Sequence, residues 1–370
     1  MSRRPPREEA EKWMRLSLLE AAKGQGRTSP NPVVGALVVK QGKLVAKGFH
    51  AQAGGPHAEV VALKKAGLLA RGADLYTTLE PCAHHGKTPP CTRAILEAGI
   101  ARVVFASTDP NPLVNGKGHR QLREGGLDVW PGLLKEEADE LNRPFFKWAK
   151  TGCPFVSLKV ASSLDGFIAT ASGDSKWITC PASREWVHAL RSRADAIVVG
   201  IGTVLADNPR LTSRPKGRKG KNPLRVVLDT KLRAPLNARI FKTQKQAPTV
   251  VATSREADAK KASLLRKQGV ELWQLPLKGG RISLKALLKK LGEKGCTHLL
   301  VEGGAGLFNA FLKEGLADEV LLFLAPKLLG GGLSWSGNLH LRKTAQARPL
   351  PISQVERIGE DLLIRSRCTP

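Results

Sequence analysis

Pro56-His57-Ala58-Glu59, followed by Glu80-Pro81-Cys82 and Cys91, sets one imidazole, one carboxylate and two thiols in the order His-x-Glu … Pro-Cys … Cys. A catalytic zinc takes three protein ligands and keeps its fourth position for water. His57, Cys82 and Cys91 supply three. The metal acidifies that water to a pKa of about 7, which makes hydroxide available at neutral pH. Glu59, two residues from His57, is placed to take a proton from the water and deliver it to a ring nitrogen and a departing ammonia. The chemistry is zinc-dependent hydrolytic removal of an amino group from a heterocycle. His84 and His85 lie in the same stretch. Another imidazole ligand would close the site, so they read as supporting the ligands, touching substrate or facing solvent. Cys153, Cys180, Cys296 and Cys368 have no partner pattern and read as structural or inert thiols.

These residues need elements to hold them. Residues 8–23 read as an amphipathic helix, with Ala10, Trp13, Leu16 and Leu19 near one face. Val33 to Val39 and Lys43 to Phe49, joined by Gln41-Gly42, read as a hairpin. A helix starting at Pro56 turns Val60, Val61 and Leu63 inward. Strands at 73–79, 102–106 and 127–130 alternate with helices at 93–98, 117–124 and 135–150. That order predicts a mixed sheet covered by helices on both faces. It puts His57 and Glu59 in a first helical turn and Cys82 just past a strand end, the crevice where such sheets hold ligands.

A boundary falls between Asn142 and Pro154, after which the pattern restarts. Strands are expected at 155–160, 196–199, 224–228, 249–252, 298–301 and 319–325, and one or two more in 355–367. Helices are expected at 183–193, 257–268, 284–291 and 305–313, so the second half is also α/β. At 370 residues, two domains are the prior. Val301-Glu302-Gly303-Gly304-Ala305-Gly306 joins a strand to a helix. It suits a phosphate at a helix N-terminus, and equally an ordinary tight turn. Residues 214–221 form a basic, breaker-rich loop expected to be mobile.

The chain carries 59 Lys and Arg against 32 Asp and Glu, a net charge of +27. Residues 1–150 contribute +8 and residues 151–370 contribute +19. Such an excess concentrates anions, whether phosphorylated small molecules or nucleic acid; a solvated basic surface is the plain alternative. No apolar run approaches the roughly 20 residues of a membrane span. The basic N-terminus has no apolar segment behind it, so no secretory signal is expected and the expected location is the cytoplasm.

The spacing of the thiols narrows the substrate. Nucleic-acid deaminases carry Pro-Cys-x-x-Cys; here Ala-His-His-Gly-Lys-Thr-Pro-Pro separates Cys82 from Cys91. Together with 28–35, 54–59, 78–91, Asp109-Pro110-Asn111-Pro112 and Val114 to Gly118, this stretch resembles the deaminase domain of the bifunctional riboflavin-biosynthesis deaminase/reductase family. Residues 159–166, 172–179, 202–212, 301–306 and 325–330 resemble that family's reductase domain, which is similar to dihydrofolate reductase.

The resemblance implies an N-terminal cytidine-deaminase-like domain over 1–150 and a C-terminal dihydrofolate-reductase-like α/β domain over 151–370. It implies Zn2+ and NADPH as cofactors. NADPH contacts fall on Ala161, Trp177, Thr203, Asp207 and Thr230, with its phosphates on Gly304, Ala305, Gly306 and Leu307. Substrate contacts fall on Ser175, Arg191, Leu211, Arg214 and Glu302. Arg191 and Arg214 are suited to a ribose phosphate through charge-assisted hydrogen bonds. The expected partner is a small phosphorylated pyrimidine, with neither nucleic acid nor membrane, in a homo-oligomer. The implied reaction is deamination of 2,5-diamino-6-(5-phosphoribosylamino)pyrimidin-4(3H)-one, then reduction of the opened ribosyl chain to ribityl. Two rivals remain: an RNA or nucleoside deaminase with a basic second domain, and a zinc-stabilised binding protein. A single Tyr speaks against the first, which needs aromatic stacking platforms.

Overall fold

Gln41 and Gly42 adopt φ of 50° and 68°, the left-handed pair that matches the twist of a tight hairpin. They join β1 (Gly35–Lys40) to β2 (Lys43–Phe49) in the computed structural model, which describes residues 4–83, 89–110, 116–217, 220–337, 339 and 342–368. The chain divides into two compact units, Met1–Gly152 and Cys153–Pro370.

In the first unit, α1 (Arg7–Ala22) precedes the hairpin. There follow α2 (Ala58–Ala66), β3 (Asp74–Leu79), α3 (Cys91–Glu97), β4 (Arg102–Ser107), α4 (Lys117–Glu124), β5 (Asp128–Pro131), α5 (Lys135–Leu141) and α6 (Arg143–Thr151). The sheet order is β2-β1-β3-β4-β5, with β1 antiparallel to both neighbours and β3, β4 and β5 parallel. Alternate residues feed opposite faces. Ala36, Val38 and Leu75 pack with Ala58, Ile95 and Leu122 on one side; Leu37, Val39 and Tyr76 pack with Trp13, Met14 and Ala138 on the other.

Two local expectations are corrected. The helix after Pro56 begins at Ala58 and buries Ala58, Glu59, Ala62, Leu63 and Ala66, leaving Val60 and Val61 half-buried. Gly48 explains the choice of face. A Cβ there would lie 2.6 Å from Ala58 O and 2.7 Å from Ala62 N, so this helix and β2 approach backbone to backbone, which suits the small alanine face. The single helix expected over 135–150 is two, broken at Asn142 (φ −107°, ψ 13°). Its carboxamide is taken up by Val33, accepting from Val33 N at 2.8 Å and donating to Val33 O at 2.9 Å. Pro144, without an N–H, fits only a first turn.

The second unit contains β6 (Phe155–Ser163), β7 (Phe167–Ala169), α7 (Pro181–Arg193), β8 (Ala196–Gly200), α8 (Ile201–Asp207), β9 (Leu224–Leu228), α9 (Arg239–Lys242), β10 (Thr249–Thr253) and α10 (Ala259–Lys267). It continues with β11 (Glu271–Gln274), β12 (Leu277–Lys278), β13 (Arg281–Ile282), α11 (Leu284–Glu293), β14 (His298–Val301), α12 (Ala305–Lys313), β15 (Glu319–Ala325), β16 (Leu333–Ser334), β17 (Ile352–Ile358) and β18 (Asp361–Arg367). The main sheet runs β11-β10-β9-β8-β14-β6-β15-β18-β17. Its pairs from β11 to β15 are parallel, and β18 and β17 close it antiparallel. Neighbouring residues again serve opposite cores: Val226 packs with Leu287 and Phe311, Val227 with Leu190 and Leu265. The short elements β7, α8, α9, β11, β12, β13 and β16 carry no periodic signal long enough to read from sequence. Among the described residues no helix is long and apolar enough to cross a membrane.

Candidate active sites

Three elements of the first unit converge on one point. His57 caps α2, Cys82 follows the end of β3, and Cys91 opens α3. His57 Nδ1 lies 3.0 Å from Cys91 Sγ and 3.5 Å from Cys82 Sγ, and the three ligand atoms lie within 4.8 Å of one another. Cys91 N donates to Cys82 Sγ at 3.4 Å, and Thr92 N to Cys82 O at 3.2 Å, so the start of α3 holds the first thiol in place. Glu59, 3 % exposed, sits in the first turn of α2.

The electrostatics test the fit of a metal. Hydrogen bonding to Cys91 and to His57 overcomes burial and pushes the Cys82 thiol down, while the Cys82 contact and burial push the Cys91 thiol up. Contact with Cys82 raises the His57 imidazole against burial. Burial lifts the Glu59 carboxyl to about 7, with His57 opposing. Two thiolates and a carboxylate this close cannot all ionise without a cation. One nitrogen and two sulfurs are a donor set suited to zinc, so these residues fit the group.

Several residues to which the sequence assigns no individual role support the cluster. The Pro56 carbonyl meets His50 Nδ1 at 3.0 Å, and Asn31 Nδ2 donates to His50 Nε2, also at 3.0 Å. That pair fixes the chain just before His57. Glu80 accepts from the backbone N–H groups of Gly116 and His119, both at 3.1 Å, across the start of α4. Gly118 lies so close to Pro81 O that a Cβ would clash with it. His84 and His85, Asn111 to Asn115 of the quoted motif, and Arg218 and Lys219 of the basic loop lie outside the described residues.

In the second unit a cavity of about 640 Å³ opens at the C-terminal ends of the central strands. Ala161, Trp177, Thr203, Asp207 and Gly304 line it, as do Ser175, Arg191, Leu211, Arg214 and Glu302. The unforeseen α8 puts Thr203 and Asp207 four residues apart on one helical face. Thr230, Gly306 and Leu307 instead line a second cavity of about 930 Å³. Ala305, buried, starts α12 at the turn where the two linings meet. Asp165 accepts from Gly330 N at 2.8 Å, which joins two of the stretches singled out in the sequence.

Arg191 has a partner that nothing local in the sequence announces. Its Nε and Nη2 donate to Glu302 Oε1 and Oε2, each at 2.7 Å, and Nη1 donates to Thr212 O at 3.3 Å. Three of its five N–H donors are thus engaged within the protein, and Arg184, Arg210, Arg214 and Arg239 are the other arginines on the cavity wall. Burial, then Arg191, Arg210 and Arg239, push the Arg214 guanidinium down, the signature of crowded positive charge. Lys159 on β6 also lines the cavity; burial, opposed by Glu302, lowers its ammonium pKa. Arg225, fully buried and lowered to about 10 by desolvation, donates to Arg210 O at 2.8 Å and to Ala247 O at 2.5 Å. It thereby fixes the loop carrying Leu211.

Fold and sites together define a two-part α/β enzyme, one part built to bind a catalytic metal and the other around a cofactor-sized crevice. Residues 7–107 match the cytidine and deoxycytidylate deaminase zinc-binding region, and residues 154–364 match the RibD C-terminal domain. The riboflavin biosynthesis protein RibD of Aquifex aeolicus is 48% identical over 97% of this chain and 98% of its own, and that of Escherichia coli 40% identical over 96% and 98%. Among solved structures, Acinetobacter baumannii RibD aligns with a TM-score of 0.89 at 39% identity, covering 98% of this chain and 100% of its own. The diaminohydroxyphosphoribosylaminopyrimidine deaminase/5-amino-6-(5-phosphoribosylamino)uracil reductase of Thermotoga maritima aligns with 0.87 at 41% identity, covering 98% and 99%. The chain belongs to the RibD family. It is a bifunctional deaminase and reductase of riboflavin biosynthesis that acts on a small molecule with zinc and NADPH as cofactors.

Proposed function

We propose that residues 1–150 hydrolyse the 2-amino group of 2,5-diamino-6-(5-phosphoribosylamino)pyrimidin-4(3H)-one, and that residues 151–370 then reduce the ribosyl chain to ribityl. The observation that carries this reading is the meeting of His57, Cys82 and Cys91 within 4.8 Å, beside the buried Glu59. Those three residues are the zinc ligands. Zinc, when bound, supplies an acidified water. Glu59 is the proton carrier: its carboxyl, near 7, takes a proton from the attacking water and returns it to the ring nitrogen and the leaving amine.

NADPH supplies the hydride in the second half. Ala161, Trp177, Thr203, Asp207 and Thr230 would hold it, with Gly304, Ala305, Gly306 and Leu307 at its phosphates. Ser175, Leu211 and Arg214 hold the substrate, with Arg214 taking the ribose phosphate. Glu302 presents its carboxylate to the sugar while Arg191 fixes its orientation. Lys159, which faces the same cavity, would give a proton to the carbonyl oxygen of the ribosyl chain.

Free thiols at all six cysteines support a cytoplasmic setting, in which we place the enzyme as a homo-oligomer. The test is incubation with the diaminopyrimidine phosphate, with and without NADPH, followed by mass measurement. Without NADPH the product carries oxygen in place of the amino group; with it, two further hydrogens. Ammonia release from tRNA, with this pyrimidine inert, would instead establish the nucleic-acid rival.

A further inference from the structure

Helix α7 turns one stripe toward the first cavity of the second unit. Arg184, Val187, His188 and Arg191 all line it, at the spacing of a single helical face. Arg191 is committed to Glu302. Arg184, nearer the start of the helix, is committed elsewhere. Its Nη1 donates to Thr179 O at 2.6 Å, and its guanidinium carbon lies over the Trp177 ring, 4.7 Å from the centroid. That is within reach of a cation–π contact, for which tryptophan is the best ring.

Trp177 needs such a contact. It is 65% exposed, so little packing fixes its ring. Its backbone is tied down. Lys327 Nζ donates to Trp177 O at 3.3 Å, Ile178 after it is buried, and Lys176 Nζ before it lies 4.0 Å from Asp207 Oδ1. These contacts fix where the side chain starts and not where the indole points. Arg184 supplies the remaining restraint, with Thr179 O holding the guanidinium and the guanidinium covering the ring. Trp177 is also the aromatic surface that the cavity has to offer. Among the described residues, the other Phe, Tyr or Trp in its lining is Phe308, which is 3% exposed and taken up by the core.

A flat ring stacks on an indole, and on one already held in place it does so with little further loss of freedom. We propose that Arg184 is a positioning residue of the reductase site, holding the Trp177 indole as a preformed platform for a ring of NADPH. This rests on the reading above in which Trp177 contacts the cofactor. Arg184 acts through the indole and does not itself touch NADPH.

Calorimetric titration of the full chain with NADPH tests this without turnover. Arg184→Met keeps an apolar stem beside the indole and removes the charge. NADPH should then bind roughly two- to tenfold more weakly, the worth of a cation–π contact. Arg184→Lys returns a cation to the same place and should recover most of the loss. Both variants lose the guanidinium fork, so their comparison stays decisive where the Thr179 contact also serves stability, and urea unfolding checks that each folds. In a Trp177→Leu background, which should itself weaken NADPH, Arg184→Met should add little, because the two residues act as one unit. A full effect of Arg184→Met in that background, or a Lys variant as weak as the Met one, overturns the proposal and leaves the reductase reading intact. Unweakened binding in Trp177→Leu removes Trp177 from the cofactor site, and the proposal with it. A wild type that binds no NADPH overturns the reductase reading as well.

Discussion

Arg191 and Glu302 face each other in two parallel hydrogen bonds of 2.7 Å, from positions 111 residues apart in the chain. The guanidinium comes from the last turns of α7 and the carboxylate from the residue after β14. Their side chains are only 14% and 8% exposed. Removing one partner therefore strands a buried charge, at a cost of about 3–5 kcal/mol. Arg191→Ala is expected to lower the unfolding free energy of the second unit, measured by urea titration, by that amount and to abolish reduction while ammonia release continues. Replacing both residues by apolar ones should restore much of the stability and none of the reduction.

The same pair sets an acid limit. Burial works to raise the Glu302 carboxyl, but the charge and hydrogen bonds of Arg191, helped by Lys159 and His188, outweigh it and hold the group below its ordinary range. A depressed folded pKa gives stability that is complete above the unfolded carboxylate value of about 4.3 and is lost as pH falls through the folded one. Unfolding measured from pH 6 downward should show this loss only on the acid side. In Glu302→Gln the acid slope should be shallower; an identical slope would exclude this carboxyl as its source.

Glu59→Gln separates holding the metal from moving protons. The amide keeps the shape of the side chain but carries no proton between water and leaving group. Zinc content should match the wild type, and ammonia release should fall by about 10²–10⁴-fold. Reduction of substrate already deaminated should persist. Full deamination in this variant would remove Glu59 from the mechanism.

Chelation should divide the two activities in the same way. Removing zinc is expected to stop ammonia release, with recovery on adding zinc back, and to spare the NADPH-dependent step. Cys91→Ser should lower the zinc measured per chain, because the lost thiol is one of the three donors brought together at the mouth of α3.

The cluster of His57, Cys82 and Cys91 was legible because its members lie in two short stretches whose residue types admit few readings. The main strands followed from apolar runs such as Leu224–Leu228 and Glu319–Ala325, while the order in which they pair did not. What escaped was settled by distant partners. Asn142 ends a helix because Val33 offers it both a donor and an acceptor. α2 turns its alanines inward because Gly48 brings a strand against them. The pairing of Arg191 with Glu302 could not be read because nothing local announces it. Lys159 stands in a motif that was recognised, yet only the structure shows that it lines the cavity, and Arg225 gives no sign in sequence that it braces the loop at Arg210.

Glu80 has a further consequence. Its carboxylate accepts the amide hydrogens of Gly116 and His119 at one end, while its backbone leads directly into Pro81 and the ligand Cys82. A shift of Cys82 on metal uptake is expected to reach two peptide groups more than thirty residues downstream. Those amides are natural gauges of occupancy: their solvent exchange should slow as zinc is taken up and quicken as it is withdrawn, in a spectrum recorded without any substrate.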